Sequence, residues 1–329
     1  MRIMIIMRYM KRKILITGGS GFIGANILNF YSQKGDNVIS IDIKKQKKKS
    51  HIDYWQNADI RNQNALKNVI KDFNPEFVIH LAARTDLNGK NIIDYDSNII
   101  GTKNLIEILN QTPSVKRVIF TSSMLVCKPG YIPKHPTDYA PSTIYGESKV
   151  LMEKIIRESS HNYEWVIVRP TSIWGPGFGE PYRNFFDMVI NKRYFHIGKK
   201  SCTKTYGYVE NLIYQIDSIL NAPVDNIQGN VFYLGDYEPT NIHSWANEIA
   251  NEIGIRIKTI QYSIIKLSAL GGDLLKLFGV KFPMTSFRLK NMTTNNIVDL
   301  SNTKEIAPNL PISRIEGIRK TLSWLKENK

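Results

Sequence analysis

The sequence contains very little cysteine: only Cys127 and Cys202 occur in 329 residues. Two widely separated cysteines do not make a disulfide framework, and neither lies with histidines at the spacing of a metal site. We therefore predict no structural metal. The same low cysteine content is typical of a protein of the reducing cytoplasm, which is the location we expect.

Long apolar runs are also absent. Residues 1–10 are apolar for a few positions only and are interrupted by Arg2 and Arg8. This stretch is too short to cross a bilayer and lacks the small-residue cleavage site of a secretory signal. We interpret it as a short tail before the first strand, with Met10 as an alternative start. No other window approaches the length of a membrane helix, so we predict no membrane partner.

Acidic residues are outnumbered, 29 to 44, by lysine and arginine, which gives a formal net charge of +15. Such a charge favours anionic ligands. The basic residues are scattered, however, and no zinc finger, helix-turn-helix or aromatic-interleaved basic stripe is present, so we predict no nucleic-acid partner. The densest run, residues 44–49, is either a solvated loop or an electrostatic aid to binding a nucleotide, including an adenosine 2′-phosphate.

A glycine-rich turn is the most informative feature that is present. Gly18, Gly21 and Gly24 follow the apolar residues 13–17 and precede residues 25–31, which have helical spacing. Strand, glycine turn and helix together are typical of dinucleotide binding, since glycines let the backbone approach a pyrophosphate at the helix N-terminus. A second strand ends at Asp42, where a carboxylate can bind the adenosine ribose hydroxyls.

Alternating strands and helices continue along the chain and predict an α/β fold, a Rossmann-type doubly wound parallel sheet with a smaller, mostly helical C-terminal substrate domain. Further strands are predicted to end at residues 60, 83, 123 and 170, with another over 230–235. Helices are predicted over 62–71, 92–109 and 315–326. We expect residues 11–170, with about 205–235, to form the dinucleotide-binding domain. Residues 171–204 and 236–329 are expected to form the substrate-binding region.

Tyr145 and Lys149 are four residues apart on a predicted helix and therefore share one face. A phenol has an ordinary pKa of about 10, which is too high for a base at neutral pH. A neighbouring ammonium group and a positively charged nicotinamide both favour the phenolate. We predict Tyr145 as the acid/base, Lys149 as its activator and a ligand of the nicotinamide ribose, and Ser123 as a hydrogen-bond donor to the substrate oxygen.

These motifs, in this order, resemble those of the extended short-chain dehydrogenase/reductases, in particular the NAD-dependent nucleotide-sugar epimerase/dehydratase family. The matching segments are residues 17–24, Asp42, 59–60, 80–83, 98–102, 121–123, 145–149, 169–177 and 208–211. The resemblance covers nearly the whole chain. It implies binding of NAD, with NADP less favoured because Asp42 repels a 2′-phosphate, and a homodimer built from helices at 98–109 and 143–158.

The resemblance also implies a set of site residues. Those expected at the cofactor are Gly18, Gly21, Phe22, Ile23, Gly24, Asp42, Asp59, Ile60, Leu81, Ala82, Ala83, Asn98, Lys149, Pro170 and Ser172. Those expected at the substrate are Ser123, Met124, Tyr145, Arg183 and Lys204. Structural roles remain open for several residues: a helix bridge for Asn98, a turn for Asp59, strand-end packing for His80, core positions for Cys127, Trp174 and Phe178, and surface charges for Arg183 and Lys204.

Departures from the family pattern reduce the number of candidate reactions. Met124 and Leu125 stand where the dehydratases of the family carry an Asp-Glu pair, which disfavours elimination. The reductases that make GDP-fucose have a cysteine directly after the serine pair and a histidine in the segment after the sixth strand. Here Met124 follows the serine pair, and residues 170–193 contain no histidine. We therefore expect 4-epimerisation of a nucleoside-diphosphate hexose through a 4-keto intermediate, in the service of cell-surface polysaccharide synthesis.

Two other activities remain open. One is an NAD(P)H-dependent 4-ketoreductase of an activated deoxysugar, which needs the same catalytic groups. The other is a 3β-hydroxysteroid dehydrogenase-like activity. Asn211 slightly favours the latter, because many sugar enzymes of the family carry Asp at that position.

Overall fold

The computed structural model describes residues 11–180, 182–277 and 285–328, so the predicted N-terminal tail lies outside the described residues. The strands are β1 (Lys13–Thr17), β2 (Asn37–Asp42), β3 (Trp55–Asn57), β4 (Phe77–His80), β5 (Arg117–Thr121), β6 (Glu164–Pro170), β7 (Ser172–Trp174), β8 (Phe195–Ile197), β9 (Thr203–Lys204), β10 (Tyr206–Tyr208), β11 (Val231–Leu234), β12 (Thr240–Asn241) and β13 (Lys258–Ile260). The helices are α1 (Phe22–Gln33), α2 (Gln63–Phe73), α3 (Asp96–Asn110), α4 (Ile144–Glu158), α5 (Tyr182–Ile190), α6 (Val209–Asn221), α7 (Val224–Ile227), α8 (Ile242–Glu252), α9 (Tyr262–Leu277), α10 (Ser286–Thr293), α11 (Ser301–Ile306) and α12 (Arg314–Glu327).

Seven strands form the central sheet in the order β11-β6-β5-β4-β1-β2-β3. The pairs among β1 to β6 are all parallel. Their register places Thr17 opposite both His80 and Ile41, so the carboxyl ends of the strands lie at one edge. This is the doubly wound order in which ligands bind beyond the strand ends, and it confirms the predicted fold class.

Hydrophobic burial and capping explain the local structure. The middle residues of β1, Ile14 to Ile16, are completely buried, as expected for a strand of a parallel sheet covered on both faces. Helix α2 begins where the Asn62 side chain accepts a hydrogen bond from Ala65 N, and α4 begins where Thr143 accepts one from Gly146 N. These caps satisfy backbone N–H groups that the helix itself leaves unpaired.

Two predicted elements differ from the structure. The third strand ends at Asn57 rather than at residue 60, because the Asp59 side chain accepts a hydrogen bond from Arg61 N and closes a turn. The helix predicted over 92–109 is divided into a short 3₁₀ turn, Ile92–Tyr95, and α3. In that turn, Asn91 and Asp94 form a reciprocal capping box.

The chain divides into two compact units. The first comprises the residues up to Ser122 together with Thr143–Val168 and Leu220–Val231. The second comprises Ser123–Ser142, Arg169–Ile219 and the residues from Phe232 onward. The domain roles expected from the sequence remain a proposal. Within the described ranges, no helix combines the length and the apolar character that crossing a bilayer requires.

An aromatic cluster forms the core of the second unit. Trp174, Phe186 and Trp245 are almost completely buried, and the ring of Tyr208 lies 4.9 Å from that of Trp174. Phe178 is also buried and packs edge-on against Phe186. The structure therefore places Trp174 and Phe178 in the core.

Candidate cofactor and catalytic site

The glycine turn lies between β1 and α1, and its geometry requires glycine at two positions. Gly18 has a φ of +76°, and a Cβ there would lie 2.7 Å from Ala82 N and 2.8 Å from the carbonyl carbon of Leu81. A Cβ on Gly24 would lie 2.2 Å from Gly18 O. The turn therefore packs directly on the backbone at the end of β4. The other residues expected here, Gly21, Phe22 and Ile23, form the N-cap and first turn of α1.

The Asp42 carboxylate is oriented by the backbone around the turn. One oxygen accepts a hydrogen bond from Ser20 N at 3.0 Å and the other from Lys44 N at 2.9 Å. Ser20 Oγ in turn donates to Lys44 O at 2.6 Å. A carboxylate has about four acceptor positions. Asp42 therefore keeps acceptor capacity for the hydroxyls of a ribose.

The lysine-rich segment after Asp42 is a solvated loop with one buried anchor. All five of its lysines are exposed, whereas Gln46 is buried and donates a hydrogen bond from Nε2 to Ser40 Oγ at 3.0 Å. A Cβ on Gly19 would collide with the Ser40 side chain. The loop is thereby attached to the glycine turn. A lone glutamine among lysines was the only sequence signal of this anchor.

Asp59 and Ile60, just after β3, both make contacts within the protein. Asp59 forms a two-point ion pair with Arg61, with Oδ2 2.6 Å from Nη2, and this hydrogen bonding lowers the pKa of the carboxyl. Ile60 is buried, and its side chain fills the space beside Gly101 of α3. The contact of Asp59 and Ile60 with the cofactor therefore stays a prediction.

His80 is a packed strand-end residue. Thr17 Oγ1 accepts hydrogen bonds from Leu81 N and Ala82 N, so its own proton points to His80 Nδ1 at 2.7 Å. His80 Nε2 lies 3.1 Å from Thr102 Oγ1, whose proton goes to Asn98 O. We therefore assign the proton of the ring to Nε2.

Burial lowers the pKa of His80 to about 3, and the nearby charge of Lys149 acts in the same direction. The ring is therefore neutral at physiological pH. It joins β1, β4 and α3 rather than exchanging protons with a substrate.

Asn98 bridges the loop after β4 to helix α4. Its side-chain oxygen accepts from Arg84 N at 2.8 Å, and its amide nitrogen donates to Arg84 O at 3.0 Å and to Ser148 Oγ at 2.9 Å. Ser148 Oγ donates to Tyr145 O at 2.7 Å. Both amide protons are used in this network, so Asn98 fixes the position of Ala82 and Ala83 relative to Tyr145. Sequence reasoning missed Ser148, the partner inside the Tyr-Lys motif.

Tyr145 and Lys149 lie on the buried face of α4, where the two residues are 7% and 2% exposed. The Tyr145 ring packs against Tyr95, with centroids 6.0 Å apart. Lys149 Nζ donates to Thr121 O at 2.8 Å and lies 3.3 Å from Met152 Sδ. Burial lowers the pKa of Lys149 to about 7, against a smaller opposing effect of Glu153. The lysine is thus held at the carboxyl end of β5.

Two hydroxyls at that strand end indicate a missing polar partner. Thr121 Oγ1 and Ser122 Oγ are buried and have no hydrogen-bond partner among the described residues. Buried polar atoms are normally paired, and an exception in a native fold suggests an unplaced ligand or water. Together with the close glycine turn and the oriented Asp42, this fits a dinucleotide along the ends of β1, β2 and β5.

The remaining predicted site residues belong to the second unit. Ser123 Oγ accepts a hydrogen bond from Leu125 N at 3.1 Å and still has its proton to donate. Met124 begins the 3₁₀ turn after Ser123, and its sulfur lies 3.9 Å from Asn296 Nδ2. Pro170 is the last residue of β6, and Ser172 Oγ accepts from the Tyr182 hydroxyl at 2.8 Å.

Two cations were also predicted at the substrate. The Arg183 guanidinium lies 3.5 Å from Asp187 and over the ring of Trp324. Lys204 is half-buried in β9, which pairs with β12. These contacts hold Arg183 on the surface of α5. That either residue binds a diphosphate stays a proposal.

Replacement of Lys149 by methionine is expected to change how stability depends on pH. Burial lowers the pKa of Lys149 from 10.5 to about 7, so between these values the unfolded chain binds more protons than the folded protein. The free energy of unfolding of the wild type therefore rises with pH in this window, by up to about 1.4 kcal/mol per pH unit. Below pH 7 the folded protein carries the full cost of burying the charged lysine. Urea denaturation of Lys149→Met from pH 6 to 10 should show the largest stability gain over wild type at the acidic end.

The matched control is Lys154→Met, an exposed lysine on the same helix. Its stability difference from wild type should not vary with pH. Parallel curves for the Lys149→Met variant and wild type would mean that the ammonium is not buried.

The chain is similar in sequence and in structure to known proteins. A family model described as the NAD dependent epimerase/dehydratase family matches residues 14–235. An Escherichia coli O157:H7 protein, N-acetyl-alpha-D-glucosaminyl-diphospho-ditrans,octacis-undecaprenol 4-epimerase, is 26% identical over 328 residues and covers 96% of each chain. A 3-beta-hydroxysteroid dehydrogenase of Mycolicibacterium neoaurum is 26% identical, covering 89% of this chain and 85% of the relative. The solved UDP-glucose 4-epimerase of Thermotoga maritima, with UDP-glucose, superposes with a TM-score of 0.74 at 20% identity, covering 96% of this chain and 99% of that one.

Proposed function

The chain belongs to the NAD dependent epimerase/dehydratase family, and from this membership we propose that it is a 4-epimerase of a hexose carried on a nucleoside diphosphate. The enzyme is of the extended short-chain dehydrogenase/reductase type. The observation that supports the proposal best is the burial of Tyr145 and Lys149 on one helix whose lysine is anchored at the end of β5. Relatives named 4-epimerases support the same reaction.

The first unit offers a binding surface for NAD. The glycine turn brings the backbone N–H groups at the start of α1 to the pyrophosphate, because no Cβ projects there. Asp42, already oriented by two backbone amides, accepts hydrogen bonds from the adenosine ribose. Thr121, Ser122 and Lys149 supply hydroxyls and an ammonium group for the nicotinamide half. When bound, NAD supplies an acceptor and a donor of hydride.

Tyr145 removes the proton of the sugar 4-hydroxyl, and Ser123 donates a hydrogen bond to the same oxygen. In its protonated form, Lys149 stabilises the phenolate by its positive charge; because its pKa is lowered to about 7, both forms are present near neutral pH. The C4 ketone would form by loss of hydride to bound NAD and would be reduced by the return of that hydride to the opposite face of C4 once the sugar has turned over. Tyr145 takes up the hydroxyl proton in the first half of the reaction and returns it in the second. Each of these roles requires only the proton-transfer and hydrogen-bonding capacity of this chain's own side chains.

The relatives of this chain suggest two classes of substrate. One group is named for sugars on a diphosphate, and the other for steroids. Asn211, which favoured a steroid in the sequence analysis, is buried. It donates to Asp236 Oδ1 at 2.8 Å and exchanges two hydrogen bonds with the Ile312 backbone. It therefore connects parts of the second unit, and its identity does not bear on the substrate. We accordingly favour the sugar.

The experiment is to incubate the purified chain with UDP-, GDP-, CDP- and dTDP-hexoses and follow the 4-position by proton NMR. We expect interconversion of the 4-epimers with no added cofactor and no net change in absorbance at 340 nm. With a substrate deuterated at C4, the label should remain at C4 of the product, since hydride leaves and returns within one complex.

Two other results would replace the proposal. Stoichiometric consumption of added NAD(P)H with a 4-keto deoxysugar would identify a ketoreductase. Reduction of added NAD by a 3β-hydroxysterol, with every sugar inert, would identify a steroid dehydrogenase. Loss of the C4 label to solvent would exclude the hydride route even if epimerisation occurs.

We further propose a cytoplasmic homodimer that serves the synthesis of cell-surface polysaccharides. The dimer would use α3 and α4, which pack on each other and expose the apolar side chains Ile100 and Leu151. Apolar residues exposed on neighbouring helices are a common feature of interfaces. Replacement of both by lysine is the direct test of this face by sedimentation.

A further inference from the structure

Helix α9 has an apolar outer face. Ile264, Leu267, Leu270, Leu274 and Leu275 are 55%, 70%, 52%, 58% and 37% exposed. The spacing of three or four residues from Ile264 to Leu274 puts these side chains on one side of the helix, and Leu275 lies at its edge. Helices of globular proteins normally place such a stripe against the core and polar residues outside. A contiguous exposed apolar surface of this kind indicates an interaction site.

The inner face of α9 already supplies the packing that the fold needs. Ile265 and Ala269 are buried there, in a small cluster with Ile197 and Leu289. On the outer face, a Cβ added to Gly271 would meet no atom within 4 Å among the described residues. Among the described residues, the outer leucines take no part in this core.

The charges around the helix are almost all positive. Arg256, Lys258, Lys266 and Lys290 are exposed. The one acidic residue of the sequence between positions 253 and 295 is Asp273. Its two carboxylate oxygens lie 3.2 and 3.3 Å from Ser286 N, so a backbone hydrogen bond already engages this carboxylate.

We propose that the outer face of α9 docks on the surface of an anionic lipid bilayer. The helix lies in the plane of the membrane, with Leu267 and Leu274 entering the boundary between headgroups and acyl chains and the basic residues at the lipid phosphates. Sixteen residues give a helix of about 24 Å, suited to lying on a membrane and not to spanning one. This proposal departs from the prediction of no membrane partner, which rested on the lack of long apolar runs.

Charge complementarity favours lipid over a second copy of the chain. Each copy carries exposed Lys258, Lys266 and Lys290 in the segments around α9, and like charges brought to one interface disfavour association. An anionic bilayer instead attracts each of these cations while it takes up the leucines. The docking is independent of the proposed function, since it requires neither NAD nor substrate.

The test is flotation of the full chain with vesicles of phosphatidylcholine alone or with 30% phosphatidylglycerol, chosen as about the charge density of an anionic membrane. We expect binding to the anionic vesicles only, reduced at high salt. Leu267→Gln/Leu274→Gln should reduce the partition coefficient at least tenfold, because two leucines no longer enter the bilayer. The matched control, Ile93→Gln/Ile132→Gln, removes two equally exposed apolar side chains elsewhere and should bind like wild type.

Thermal unfolding of both double variants checks that they remain folded. If Leu267→Gln/Leu274→Gln is unstable, the second test is Lys258→Gln/Lys266→Gln, which must lose the preference for anionic vesicles. Failure of the wild-type chain to bind, or equal loss in the control, overturns the proposal. So does a dimer that Leu267→Gln/Leu274→Gln dissociates without any vesicle binding. None of these outcomes depends on catalysis, so they are distinguishable from failure of the proposed epimerase activity.

Discussion

Replacement of Tyr145 by phenylalanine should reduce kcat by about a thousandfold, within the range of 10² to 10⁴ that a positioned acid/base contributes. The ring packs against Tyr95 and is buried, so phenylalanine fills the same space and only the hydroxyl is lost. The sugar hydroxyl then has no base. The measurement is epimer interconversion under saturating substrate, with bound NAD quantified after denaturing the protein. NAD content should be unchanged.

The control for this prediction is Tyr95→Phe, which removes a phenol hydroxyl next to the same ring. Tyr95 Oη donates to Asp86 O at 2.7 Å and accepts from Gly89 N at 3.2 Å, so its loss should cost about 1 kcal/mol of stability. Turnover should remain within about fivefold of wild type, because the lost bond is structural. If Tyr145→Phe retained a tenth of wild-type turnover, another group would have to be the acid/base.

The second large effect is expected at Gly18, where alanine should abolish NAD binding and destabilise the fold. The left-handed backbone alone costs an alanine about 1–2 kcal/mol. The added Cβ would also lie within 3 Å of the Leu81 and Ala82 backbone, which cannot move as a side chain can. We expect a loss of about 3 kcal/mol in the free energy of unfolding, as for other strained positions. The affinity for NAD, measured by calorimetry, should fall at least a hundredfold.

Gly35 provides an unusually close control. Its φ of +86° is nearly that of Gly18, but a Cβ there would meet nothing within 4 Å. Gly35→Ala should therefore show the backbone cost alone, about 1–2 kcal/mol, with unchanged affinity for NAD. Equal effects at the two positions would mean that contact with the end of β4 is not what makes Gly18 necessary.

The strands of the parallel sheet could be predicted from the sequence because each central strand is an apolar run that ends at a polar or glycine-rich turn. Parallel strands covered on both faces leave this signal directly in the residues. The same is true of Tyr145 and Lys149, whose helical spacing puts them on one face before any tertiary contact is known. The end of β3 was less predictable, since the Asp59 turn depends on a local side-chain hydrogen bond.

Other features depend on side-chain contacts that local spacing does not predict. The pairing of Asn98 with Ser148, the anchoring of Lys149 on Thr121 O, and the attachment of Gln46 to Ser40 leave no periodic pattern. Sequence reasoning therefore placed Asn98 among the cofactor ligands as readily as among the bridges. The role of Asn211 was open for the same reason, because its partners are Asp236 and Ile312.

The sequence by itself determined the family and the parallel α/β fold, because the order of the motifs and the hydrophobic runs encode these properties. It also predicted Tyr145 and Lys149 as the proton-transferring pair, which stays a proposal. The tertiary structure decided which polar groups are paired, that Lys149 is buried enough to lose most of its basicity, and which face of α9 lies outside. Periodicity defines two faces of a helix, but only the packing of Ile265 and Ala269 determines which one is covered. The face left exposed is the one on which the membrane proposal depends.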